Sequence, residues 1–295
     1  MQHTECNPSV NWLEQSFDLP GAVTLGGASS NTGGTELVLL HGVTRQWRDY
    51  REVMPLLGNV TALDHRGHGA SSKGHAQYRV LDFVEDALAW LETRSEPVIL
   101  LGHSLGAMTA AMVAARAPNR ITALVLEDPP GSYLAERIVD SRYWLQFNNL
   151  RDLLRLSRPD ASALANMEVQ HPADGSVVPW SALRSPKSLR FTAECLKRMD
   201  PAVLDDLVAG RWLEGLDWFG ELSNIRCPTL LLRSDPNCGG MLSEEEATLI
   251  QSRLPHCQRI DSPGHEHNLH GTAPARYLDL VTRFLQPHLQ PTRTV

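Results

Sequence analysis

Short apolar runs recur along the chain, separated by longer stretches of helical periodicity. The runs are ELVLLHG (36–42), VTALDHRGHG (60–69), PVILLGHS (97–104), ITALVLEDPP (121–130), PTLLLRSD (228–235) and CQRIDSPG (257–264). Apolar and polar positions do not alternate within them. A strand with one wet face alternates, whereas a strand covered by helices on both faces does not. The runs therefore predict strands of a buried parallel sheet. Between them, VLDFVEDALAWLETR (80–94) places Val80, Phe83, Val84, Ala87, Leu88 and Leu91 on one helical face. LGAMTAAMVAARA (105–117) is rich in strong helix formers and stops before Pro118, and APARYLDLVTRFLQ (273–286) has a proline in its first turn. Strand alternating with helix predicts an α/β protein with a doubly wound, mostly parallel sheet and right-handed crossovers.

The rhythm stops between 131 and 223. Helical patterns appear there at 133–156, 185–199 and 200–216, the last two opening on Ser185-Pro186 and Asp200-Pro201. A capping residue followed by proline is a sound helix start. The proline-rich stretch 169–186 is expected to be a loop. The organisation predicted is a core built from 1–130 and 224–295, with 131–223 as a helical insertion between two sheet strands.

Composition adds limits. The 295 residues are 42% hydrophobic and 21% charged, enough to bury one large core. The formal charge of −7 with no basic stripe excludes nucleic acid and anionic membrane surfaces as expected partners. No apolar run approaches the roughly 18 residues of a membrane span. The N-terminal stretch lacks the basic and apolar regions of a signal peptide. Five cysteines, at 6, 195, 227, 238 and 257, show no C-x-x-C spacing, so neither a disulfide framework nor a zinc site is implied. These features together give the expectation of a cytoplasmic protein acting on a small molecule.

The chemistry centres on Gly102-His103-Ser104-Leu105-Gly106, which matches G-x-S-x-G between a predicted strand and a predicted helix. The sharp turn expected there strains the serine backbone and lifts its hydroxyl to the C-terminal edge of the sheet. Taken as a string alone, the pattern equally describes a helix-capping serine between glycines. Upstream, His41-Gly42 ends another strand and allows the chain to bend so that the Val43 N–H points toward the serine. Val43 and Leu105 N–H would then form an oxyanion hole. DHRGHGAS (64–71) is expected to be a tight structural turn held by local hydrogen bonds of Asp64 and Arg66.

HGV, DHRGHGAS and GHSLG, in this order and spacing, resemble the α/β-hydrolase fold superfamily from about residue 36 to 286. The resemblance implies that 131–223 is a cap domain. It also implies a catalytic histidine after the last strand, where SPGHEHNLHGTAP offers His265, His267 and His270. His267 stands seven residues before the proline that opens the final helix, the usual spacing, and His265 has the usual preceding glycine. The acid has two family positions. Spacing along PTLLLRSD puts the first at Asn237, which cannot hold a charge, with Asp235 two residues earlier. The second lies 24 residues beyond the nucleophile, at Asp128. The preferred triad is thus Ser104, His267 and Asp128, with His265 and Asp235 as alternatives.

The resemblance implies no metal and no cofactor. It implies hydrolysis of a carboxylic ester or lactone through an acyl-enzyme, and the aromatic residues Trp144, Phe147, Trp180, Phe191, Trp212, Trp218 and Phe219 of the inserted segment give the expectation of an apolar or aromatic acyl substrate. Aspartate stands at the elbow in relatives that hydrolyse epoxides or haloalkanes. Carbon–carbon hydrolysis, perhydrolysis and amide cleavage use the same triad, and a ligand receptor would use the same pocket. His103 and Trp47 are expected to line that pocket. Arg45 is expected at the solvated surface, with steering of a substrate carboxylate as its alternative role.

Overall fold

The computed structural model describes residues 12–131, 137–157 and 159–289. Its main sheet has eight strands among the described residues: β1 (Leu13–Leu19), β2 (Val23–Ser30), β3 (Leu37–Leu40), β4 (Val60–Leu63), β5 (Val98–His103), β6 (Ile121–Glu127), β9 (Thr229–Ser234) and β10 (Cys257–Ser262), in the order β1-β2-β4-β3-β5-β6-β9-β10. From β4 to β10 all neighbours are parallel. Each of the six predicted apolar runs supplies one of these parallel strands. Strands β3 to β6 are buried almost throughout, as strands covered on both faces must be.

Helix α1 (Val80–Glu92) and helix α2 (Leu105–Arg116) cover one face of the sheet. In α2 every residue from Leu105 to Ala115 is buried, so its small side chains reflect close packing rather than an amphipathic stripe. The final helix, Pro274–Leu285, covers the other face through Tyr277, Val281 and Leu285.

The hairpin β1–β2 was not legible in the apolar pattern. It is an antiparallel edge addition that pairs with β4, and β1 is mostly wet. An exposed edge strand has no need of a continuous apolar run.

Between β6 and β9 the chain forms helices Tyr143–Leu156, Ala161–Asn166, Pro186–Lys197, Val203–Val208 and Trp218–Leu222. The helix expected from 133 starts at Tyr143, and its positions 133–136 lie outside the described residues. The helix expected over 200–216 is confined to 203–208, because Gly210 turns the chain at φ 71°. Ser185 caps its helix as predicted, accepting from the Ser188 N–H at 3.2 Å. The stretch expected to be a loop contains a small hairpin, β7 (Glu168–Gln170) with β8 (Val177–Pro179). Its turn is closed by the Asp174 carboxylate, which accepts from the Ser176 N–H at 2.9 Å. Pro179 is tolerated because it ends a two-stranded ribbon.

Cys195, Cys227, Cys238 and Cys257 are unpaired, and Cys6 lies outside the described residues. Among the described residues no helix is long and apolar enough to cross a membrane.

Candidate active site

The site forms where the strand order reverses beside β3, the switch point at which open α/β sheets leave a crevice at their C-terminal ends. Strand β5 carries Ser104 at its tip. Its neighbours β3 and β6 deliver the His41-Gly42-Val43 bend on one side and Asp128 on the other. Residues far apart in sequence thus meet because their strands are adjacent and parallel.

Ser104 occupies a left-handed backbone region, φ 54° and ψ −119°, at the N-cap of α2. Its side chain makes no capping hydrogen bond, which removes the helix-cap alternative. The flanking glycines are required by space. A Cβ on Gly102 would lie 2.1 Å from the Gly106 carbonyl oxygen, and one on Gly106 would lie 1.9 Å from that of Leu40. The turn therefore leaves the Ser104 side chain free to face a cavity of about 390 Å³. Val43 and His267 line the same cavity. Leu105 opens α2, where the first N–H groups have no intrahelical acceptor.

The His267 Nδ1 lies 2.6 Å from Asp128 Oδ2, and the Asp128 side chain is fully buried. Asp128 also accepts from the Ser234 N–H at 3.0 Å and the Met241 N–H at 2.8 Å. Three donors thus fix a carboxylate whose backbone is itself left-handed, φ 44°. Asp235 is engaged elsewhere. It accepts from the Asn237 and Gly264 N–H groups at 2.9 and 2.8 Å and closes its own turn. Those backbone hydrogen bonds hold its carboxyl below the usual range. His265 does not line the cavity, whereas its neighbours Gly264 and Glu266 do.

His103 lines the cavity, with its ring 4.5 Å from that of His267. Its Nε2 lies 3.1 Å from the His267 carbonyl oxygen. Burial, aided by the neighbouring His267, pushes its pKa well down, so a neutral ring donates that bond and holds the His267 loop.

Trp47 requires a correction, since it does not line the cavity. It opens a 3₁₀ turn, Trp47–Tyr50, whose first N–H is held by Asp64 at 2.7 Å. Its side chain is buried with the residues packed under the final helix. Arg45, expected at the solvated surface, instead lines the cavity and donates to Thr192 Oγ1 at 2.8 Å. Asp64 holds its turn locally, as expected, accepting also from the Ala70 N–H, whereas Arg66 reaches out of the turn to a two-pronged pair with Asp86 on α1.

Two features escaped the sequence reading. The first is a buried charge network at His270. Its Nδ1 lies 2.7 Å from Glu127 and its Nε2 3.3 Å from Asp49. Burial alone would lower the His270 pKa, but Glu127 and Asp49 outweigh it and hold the value up at about 9. The second feature is a pair of arginines from the inserted segment, Arg142 and Arg184, on the cavity wall. A usable signal for Arg142 existed: Arg142, Tyr143, Gln146 and Phe147 share one helical face by their i, i+4 spacing. Tyr143, Phe147 and Trp180 supply the aromatic part of that wall. Trp212 and Trp218 are packed into the core instead.

Comparison with known proteins places this arrangement in context. A family profile described as the alpha/beta hydrolase fold matches residues 36–274. The 2-(acetamidomethylene)succinate hydrolase of Mesorhizobium japonicum is 24% identical, over 94% of this chain and 96% of that protein. The pimeloyl-[acyl-carrier protein] methyl ester esterase of Vibrio parahaemolyticus is 27% identical, over 77% of this chain and 85% of that protein. A crystal structure of E-2-(acetamidomethylene)succinate hydrolase superposes with a TM-score of 0.72 at 20% identity, covering 94% of this chain and 100% of that one.

Proposed function

The chain belongs to the α/β-hydrolase fold family, and from that premise we propose that it is a serine hydrolase cleaving a carboxylic ester or lactone with a small apolar or aromatic body. The observation that carries this reading is the 2.6 Å contact between Asp128 and His267, made beside a cavity that Ser104 also lines from a strained turn. In the proposed reaction Asp128 holds the Nδ1–H of His267 and leaves Nε2 as the base. His267 takes the Ser104 proton while Oγ attacks the substrate carbonyl. Val43 and Leu105 N–H donate to the oxyanion. The leaving group departs with the proton from His267. Water, deprotonated by the same imidazole, then releases the acid and restores Ser104. Segment 131–223 acts as the cap that closes the pocket.

The relative from Vibrio parahaemolyticus, named an ester hydrolase, supports the ester reading. The relative from Mesorhizobium japonicum is named for a succinate and not for an ester. The leaving group is therefore tested with an aryl ester and the matching anilide. Intact-mass measurement after an aryl phosphonate probe should show one adduct, absent in Ser104→Ala. Folded wild-type protein that takes up no adduct would favour a ligand receptor.

A further inference from the structure

The lining of the cavity over Ser104 mixes two kinds of side chain. Phe147, Trp180 and Met241 are apolar, while Arg45, Arg142 and Arg184 bring three positive charges. Two of those charges are already answered. Arg184 is paired with Glu266. Arg45 lies 3.9 Å from Asp49, and the Asp49–His270–Glu127 network is balanced once Arg45 is counted. Arg142 differs. Its guanidinium donates to the carbonyl oxygens of Pro172, Pro236 and Gly240, and no carboxylate partner is found for it among the described residues. Carbonyl oxygens satisfy N–H groups but leave the net charge in place. A half-buried cation without a counter-ion is only partly screened by solvent, and an anion arriving beside it gains accordingly.

We infer that the substrate carries a carboxylate on its acyl portion, bound by Arg142, while its scissile carbonyl lies at Ser104. One unanswered positive charge matches one negative charge, so a carboxylate fits better than a phosphate dianion. Nη1 gives one N–H to Pro172 and Nη2 donates to Pro236 and Gly240, which leaves the Nε–H and one Nη1 N–H for a charge-assisted bond to a carboxylate. The apolar side chains of the lining accommodate the short chain between the two ends. Arg142 is thus a specificity residue: it binds an end of the substrate remote from the reacting atoms. Binding energy realised there orients the carbonyl. Arg142 also joins the turn after β7, through Pro172, to the turn after β9, through Pro236 and Gly240, so the test must separate anchoring from bracing.

The kinetic part rests on the hydrolase reading above, and the binding part does not. A matched pair of substrates, 4-nitrophenyl hydrogen glutarate and its neutral methyl ester, differs only in the remote charge. Wild type should prefer the anionic compound in kcat/KM by about 10- to 100-fold, the range of a hydrogen bond to a charged group. In Arg142→Met that ratio should fall toward one. A wild-type ratio near one overturns the inference, as does a variant in which both substrates slow equally and the ratio stays. Should Arg142→Met fail to fold, Arg142→Lys keeps the charge without the carbonyl contacts that place it and should lower the ratio several-fold. Binding is then measured in Ser104→Ala by calorimetry with glutarate and with glutaramide. Glutarate should bind more tightly, and the advantage should vanish when Arg142→Met is added. Absence of turnover on both esters with intact glutarate selectivity would count against the hydrolase reading and leave the carboxylate site standing. Equal binding of acid and amide would remove the site.

Discussion

At residue 128 an aspartate adopts a left-handed backbone, which costs about 1–3 kcal/mol in a residue with a side chain. Two backbone amides and His267 hold its carboxylate and offset that cost. An asparagine there would turn an NH2 toward a donor or force the imidazole into the wrong tautomer. Asp128→Asn should therefore keep the fold and lose about four orders of magnitude in kcat. Asp235→Asn should stay within a few-fold of wild type, because its oxygens serve the turn to Gly264. Steady-state kinetics on one activated ester decides between them, and a near-normal Asp128→Asn would reject the triad. Gly106 makes a parallel case for stability. A methyl group 1.9 Å from the Leu40 carbonyl oxygen displaces strand β3 or helix α2, so Gly106→Ala should melt far below wild type. The glycines and the serine were legible in the sequence because a tight turn needs those residue types in a row. Trp47 was misplaced because its position near Val43 in sequence does not tell which side of a 3₁₀ turn its ring takes.

Among elements, the His270 network is the tie. Glu127 ends β6, Asp49 lies in the 3₁₀ turn after β3, and His270 sits in the short helix Leu269–Thr272 just beyond His267. One buried imidazolium thus holds together the three segments that carry Asp128, Val43 and His267. Its folded pKa, raised to about 9 from an ordinary 6.5, sets the sign of the pH effect. The stabilisation is complete below pH 6.5 and is lost as pH rises through about 9. Thermal melts of wild type should decline across that window, and those of His270→Gln should decline less. Parallel curves for the two would show that the imidazolium does not stabilise the folded state. Sequence pattern identified His270 only as a neighbour of His267. It could not pair it with Glu127 and Asp49, which reach it from other strand ends.

At the scale of the molecule, acid stability is expected to depend on a second histidine group, around His41 beside the Gly42-Val43 bend. Rings of His41, His65 and His68 pack edge to face, at 4.7 Å for His41 with His65 and 5.1 Å for His41 with His68. Burial lowers His41 to about 4 and His68 to about 3, and pushes His65 well down. The unfolded chain protonates these rings below pH 6.5 while the folded one leaves them neutral. Stability should therefore fall as pH drops from 6.5 toward 4, with about 1.4 kcal/mol for each tenfold change in proton affinity. Urea midpoints at pH 7 and pH 5 measure this, in a range where ordinary carboxylates remain ionised. An unchanged midpoint would mean that the three rings are not buried neutral. Together with the alkaline loss at His270, this places maximum stability near pH 6.5 to 7.

The sequence by itself determined the parallel sheet, the covering helices and the glycine-flanked turn at Ser104. Each of these is a local matter: unbroken apolar runs, helical periodicity, and glycines where no side chain fits. Tertiary structure decided what depends on which strands become neighbours. It set Asp128, rather than Asp235, against His267, because β6 lies beside β5 and the chain turns left-handed at its end. It brought Arg142 and Arg184 to the cavity wall, because the segment between β6 and β9 folds back over the sheet edge. Spacing along the chain cannot report such contacts, since their partners are set by packing across strands and not by distance in sequence.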